Sequence, residues 1–208
     1  MEKALETIEK DGYTLNIYLD DCPENPRNWD NIGKLYIPRP PRGYEFSDKD
    51  ASAGECKAAP VKLPVYILDH SGLAISTSSF GDPWDSRQAG YIYVTAETLK
   101  AEYPNHGYTM DEAIRYAREC IQDEIEMFND YIQGNVYGYE IADAEQEIEA
   151  CRGYYGDRGI QDIKDLFTGF IEREKQEKAR EARAAAIEAA PLFVWGNIDP
   201  ETLQAVNA

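Results

Sequence analysis

The sequence has no apolar run approaching the ~20 residues that a membrane-spanning helix requires. Its opening segment, MEKALETIEK, is charged and lacks the apolar stretch of a signal peptide, so export by that route is not expected and the chain is assigned to the cytoplasm. The four cysteines, Cys22, Cys56, Cys120 and Cys151, lie far apart, with no CxxC or Cys/His spacing. That argues against a structural zinc and for reduced thiols. Basic residues are scarce: 21 Lys and Arg stand against 39 Asp and Glu, a net charge of −18. Direct binding to nucleic acid needs cations to neutralise phosphates, and binding to anionic membranes needs them as well, so both are disfavoured. A large negative charge favours solubility or a basic partner. There is no internal repeat, no low-complexity tract and no catalytic motif, so an enzyme is not the leading expectation and no cofactor is expected.

What remains is ample for folding. In 208 residues, 43% are hydrophobic, with 15 Tyr and 3 Trp, which fits one core with an appendage. The expected division is an α+β core over 1–159, followed by a C-terminal helix and apolar tail over 160–208. Residues 1–12 are expected to form a short helical lead-in ending at Asp11-Gly12. Strand composition, β-branched and aromatic residues in short runs, appears at 13–18, 34–37, 65–68, 73–77, 91–94, 136–141 and 148–153. Pro23 and Pro26 make 20–33 a turn-rich loop around Trp29, and 39–62 reads as a long polar excursion. The loops around Trp29 and Trp84 are expected to pack at one end of the domain. Together these give an antiparallel, twisted sheet of five to seven strands with two long helices on one face.

The clearest helix spans 110–133. Thr109 is a plausible N-cap, Asp111 and Glu112 lie in its first turn, and Gly134 follows its end. Ile114, Ala117, Ile121, Ile125, Phe128 and Ile132 recur every three or four residues and share one face. Glu112, Glu119, Asp123, Glu126 and Asp130 fall on the opposite face, within about 40° of its centre by helical geometry. Solvated helix faces usually mix signs, because like charges at i,i+4 repel. Here residues 111–149 hold twelve acids and two arginines. Carboxylates on adjacent turns stand roughly 5–6 Å apart, near enough to phosphate spacing to substitute for a nucleic-acid strand. Asp143, Glu145 and Glu147, in the turn that follows, are expected to form an adjacent patch. An ordinary solubilising face is the competing reading.

A second helix spans 160–190, with an apolar stripe at Ile163, Leu166, Phe167, Phe170 and Ile171 and an Ala-rich, mixed-charge continuation. Beyond Pro191, Leu192, Phe193, Val194 and Trp195 form a patch that must dock on the body or on another chain. A homodimer through this helix is the alternative to docking on the body.

Three stretches carry a resemblance. NPRNWDNIG at 25–33, VYILDHSGLAISTSSFGDPWDSRQAGYIYV at 65–94, and VYGYE at 136–140 followed by CRGYYG at 151–156 resemble, in order and spacing, a widespread family of phage and mobile-element proteins. The likeness covers most of residues 13–156. It departs at Gly81-Asp82, where a Cys-like residue is expected before Pro-Trp-Asp, in the 39–62 excursion, and in the C-terminal helix. The resemblance implies a phage or mobile-element origin. The family has no assigned activity, so no residue role follows from it.

The leading expectation is a phage-encoded inhibitor of a bacterial defence nuclease, anti-CRISPR or antirestriction in kind. It would act in the host cytoplasm as an acidic DNA mimic on a basic partner protein. The alternative is a metal-dependent hydrolase of a small phosphorylated or nucleotide ligand, with Asp69, His70, Asp82 and Asp85 as the ligand set. Those four residues also have turn chemistry to perform. A nucleotide-binding sponge at Tyr154-Tyr155 is a third class.

Overall fold

The computed structural model describes residues 3–189, apart from 71, 83 and 104–106. The apolar tail at 192–195 and its docking lie outside the described residues. The chain begins with a hairpin, β1 (Glu6–Lys10) and β2 (Tyr13–Leu19). Between them Asp11 and Gly12 have φ of 55° and 85°, the pair of left-handed residues that a two-residue hairpin turn demands. The expected helical lead-in is therefore a strand. Ala4, Leu5 and Ile8 also fit a helical spacing, but the Asp-Gly turn and the alternation of Ile8 against exposed Thr7 and Glu9 prevail.

The remaining elements are β3 (Lys34–Tyr36), a short helix α1 (Ala53–Ala58), β4 (Val61–Asp69), β5 (Leu73–Ser76), β6 (Ser86–Val94), α2 (Ala96–Glu102), α3 (Met110–Gln133), β7 (Val136–Ala142), β8 (Glu147–Tyr155) and α4 (Gly156–Ala189). Strand pairing is antiparallel throughout, so the class is α+β with antiparallel sheet. The strands divide into two sheets of four, in the orders β1-β2-β7-β8 and β3-β6-β4-β5. Each long helix covers its own sheet. In the first, Leu15, Ile17, Tyr139 and Ile141 meet Ile163, Phe167, Phe170 and Ile171 of α4. In the second, Val65, Ile67, Ile75 and Ile92 meet Ala117, Ile121, Ile125 and Phe128 of α3. A single sheet was the simpler expectation because nothing local in the sequence announces the pairing of β2 with β7.

β4 is longer than its β-branched run and includes Pro64. Val61 to Val65 pair with β6 alone, and β5 joins only from Tyr66 onward, so the proline lies where β4 is still an edge. The 39–62 excursion is partly structured: Asp48 and Ser47 bond along β3, and Ser52 caps α1. The two tryptophan loops do not pack together as expected. Trp29 stacks edge-on against Tyr155 with ring centroids 5.4 Å apart, whereas Trp84 is 91% exposed. Among the described residues, no helix is long and apolar enough to cross a membrane.

Candidate functional site

α3 begins with a complete capping box. The Thr109 hydroxyl accepts from the Glu112 N–H, and the Glu112 carboxylate accepts from the Thr109 N–H at 2.8 Å. That bond holds the Glu112 carboxyl below its usual range. The helix ends at Gly134, which is left-handed with φ 74°. Between these ends the apolar stripe faces the second sheet, and the other side carries the acids.

Glu112, Glu119, Asp123 and Glu126 are exposed, and Asp130 is half-buried. Glu119 meets Arg115 at 3.4 Å, and the Arg115 guanidinium lies 4.3 Å from the centre of the Tyr116 ring. Glu126 accepts a hydrogen bond from Gln122 at 3.0 Å. Asp130 differs from the others. Its carboxylate lies against Gly156 at the start of α4. Burial raises its pKa, with Asp157 and Glu126 adding to the rise and Asn135 opposing it. The open stripe is thus Glu119, Asp123 and Glu126, with Glu112 at its beginning and Asp130 turned into the seam with α4.

Asp143, Glu145 and Glu147 do not adjoin this stripe. Asp130 sits beside the start of β7, and Asp143 follows its end, so the two are separated by a seven-residue strand, roughly 20 Å at strand rise. The Asp143 carboxylate accepts from the N–H groups of Glu145 and Gln146 at 2.8 and 2.9 Å, which closes the turn and lowers its pKa. The acidic residues form two patches, because β7 carries the chain away from α3.

One carboxylate of α3 faces inward, and sequence reasoning missed it. Glu124 meets Arg27 at 2.8 Å, with side chains 13% and 6% exposed. Its other oxygen accepts from the N–H groups of Ile32 and Gly33 at 3.0 and 3.1 Å. Arg27 also bonds Asp48 at 2.6 Å and the Gly33 carbonyl at 2.6 Å, and Asp48 in turn accepts from the Leu35 N–H. Burial pushes the Glu124 carboxyl up, while Arg27 and the two amides oppose that push. Burial works against the Arg27 charge too, and the Asp48 and Glu124 carboxylates outweigh it. The NPRNWDNIG segment supplies the geometry: Asn25 caps a one-turn 3-10 helix that starts at Pro26 and aims Arg27 inward. A concavity of about 470 Å³ adjoins this network, and Arg27, Asp48, Gly33 and Ile32 form part of its wall. Those groups are committed to one another, so they act as a clamp between the loop, the 48 segment and α3.

The proposed metal ligands have other duties. Asp82 accepts from the N–H groups of Trp84 and Asp85 at 2.8 and 3.0 Å, and these bonds, that of Asp85 foremost, hold its carboxyl low. His70 pairs with Asp85 at 2.8 Å on an exposed turn. The Asp69 N–H donates to the Asp85 carbonyl. The sequence thus brings His70 and Asp85 together, while Asp82 caps the loop. Among the described residues, no group of three or more His, Cys, Asp or Glu side chains has the arrangement to hold a metal ion. The tyrosines of the first sheet are likewise engaged in packing. Tyr154 lies 5.6 Å from Tyr139, the Tyr139 hydroxyl bonds Glu149, and the Tyr155 hydroxyl bonds the Glu24 carbonyl.

Comparison of the chain with protein-family models, with curated proteins and with solved structures found no match, so its functional reading rests on the side chains described above.

Proposed function

We propose that this chain is a phage-encoded, non-enzymatic inhibitor of a bacterial defence nuclease, of the anti-CRISPR or antirestriction kind. It acts in the host cytoplasm by presenting carboxylates where the nuclease expects phosphates. The observation that supports this reading is the open stripe on α3: Glu119, Asp123 and Glu126 stand exposed on successive turns, on the side of the helix away from its sheet. A channel that releases counterions when it binds phosphate releases them to carboxylates as well. The overall charge of −18 adds long-range attraction to a basic partner.

The test is capture from bacterial lysate at low salt, with the wild type and the Glu119→Lys, Asp123→Lys, Glu126→Lys triple variant run side by side. The wild type retains a basic nuclease that DNA displaces and salt elutes, and the variant does not. Equal retention by both chains, or retention that salt leaves unchanged, removes the basis of the proposal.

A further inference from the structure

Each of the two sheets has two edge strands, and an unpaired edge is a template for another strand unless something blocks it. Three of the four are blocked. The edge of β3 is occupied: the Leu35 and Ile37 N–H groups donate to Asp48 and Ser47 at 2.7 Å, and the Asp48 N–H returns to the Leu35 carbonyl at 2.9 Å. At β5, the Ile75 N–H donates to Asn129 of α3 at 3.0 Å. β8 is long, but its register with β7 breaks twice, skipping Ile148 and Gly153, and it carries Glu147 and Glu149. Bulges and charges of this kind keep a strand from accepting a neighbour.

β1 has no such occupant and no such break, and its charges, Glu6, Glu9 and Lys10, are of both signs, so a strand of complementary pattern can still pair with it. Its register with β2 is unbroken from Glu6 to Lys10. Among the described residues, its backbone pairs with β2 alone. Thr7, Glu9 and Lys10 are exposed. In a two-residue hairpin the residues flanking the turn exchange their backbone bonds, here Lys10 and Tyr13. By alternation, Thr7 and Glu9 direct their N–H and C=O groups to the open side.

We infer that β1 is a docking edge for a second copy of this chain, paired antiparallel about Ile8 so that Glu6 of each copy faces Lys10 of the other. The choice of occupant follows from charge and symmetry. A two-fold axis across a sheet must pass through a residue, or the inward side chains of the two copies would not share a face. Centring on Glu6 or Glu9 opposes carboxylate to carboxylate. Centring on Thr7 leaves Glu6 against Ile8 and Lys10 against Ala4. Centring on Ile8 sets Glu6, which already meets Lys164 of α4 at 2.9 Å, against Lys10 twice, joins Ile8 to its own copy over the apolar core it already packs on, and lets Thr7 and Glu9 exchange backbone bonds. The product is a continuous eight-stranded sheet. The acidic stripe of α3 lies on the other sheet, so this surface is separate from the one in the proposed function.

Sedimentation of the full chain tests it. The wild type sediments as a dimer at high concentration. Lys10→Glu opposes Glu6 with a second carboxylate, and Glu6→Lys, made together with Lys164→Glu to keep the ion pair to α4, opposes Lys10 with a second cation. Each raises the dimer dissociation constant roughly tenfold or more. An equal mixture of the two variants restores dimers, because their unlike charges then face one another. Thr7→Pro removes an outward N–H that β2 does not use, a place where an edge strand tolerates proline. It leaves the circular dichroism of the fold unchanged and gives monomers. A wild type that stays monomeric, a dimer that survives Lys10→Glu, or variants that fail to rescue each other overturns the inference.

Discussion

Asp123 and Glu124 are neighbours on α3 and do opposite work. Asp123 is exposed on the acidic stripe, while Glu124 turns inward to Arg27 and two backbone amides. A step of 100° around the helix separates a carboxylate that can meet a partner from one that clamps the fold. The difference teaches that an acidic count is not a surface. Only burial and partners say which carboxylates are available.

The sharpest way to break the comparison is Glu124→Ala. It strands Arg27 beside Asp48 with one partner gone and two amides unsatisfied. The loss should be about 3–5 kcal/mol, read from urea unfolding. Glu124→Gln keeps an oxygen for the two amides and should lose less than Glu124→Ala, since the buried N–H groups stay satisfied. If the two variants are equally unstable, the clamp has been misassigned.

The next effect is smaller. Thr109→Ala removes the N-cap of α3 and should cost about 1 kcal/mol, seen as a lower urea midpoint with the slope unchanged. Asp130 lies between the two classes. Burial raises its folded pKa above the unfolded value. Its charge therefore costs stability as pH rises through the usual Asp range, and the cost is complete above the raised folded value. Asp130→Asn should stabilise at neutral pH, and the gain should vanish on acidification. A gain that grows as pH falls contradicts the assignment. The smallest effect belongs to the open stripe. Asp123→Asn and Glu126→Gln should each change stability by less than about 0.5 kcal/mol, although Asp123 adjoins the residue with the largest expected loss.

The limits of α3 were legible in the sequence because its signals are local: Thr109, Glu112 and Gly134 lie within a turn of its ends, and its apolar stripe repeats every three or four residues. The strands at 13–18, 34–37 and 136–141 were legible from composition. β1 was not, because Ala4, Leu5 and Ile8 also fit a helix and the Asp11-Gly12 turn had to decide. The pairing of β2 with β7 and the bond from Arg27 to Glu124, 97 residues apart, depend on the folded chain and leave no local trace. The stripe itself was visible as a periodicity. What the sequence did not reveal is that Asp130 leaves it for the α4 seam, and that Asp143, Glu145 and Glu147 belong to a separate turn.

The most direct measurement is the salt dependence of binding to a captured defence nuclease, for the wild type and for Glu119→Gln, Asp123→Asn and Glu126→Gln singly and together. The account predicts that log K falls steeply with log salt, that DNA competes, and that each neutralised carboxylate makes the slope shallower while the melting temperature stays nearly constant. Binding with a flat salt dependence, or a slope that the triple variant leaves unchanged, would contradict the account.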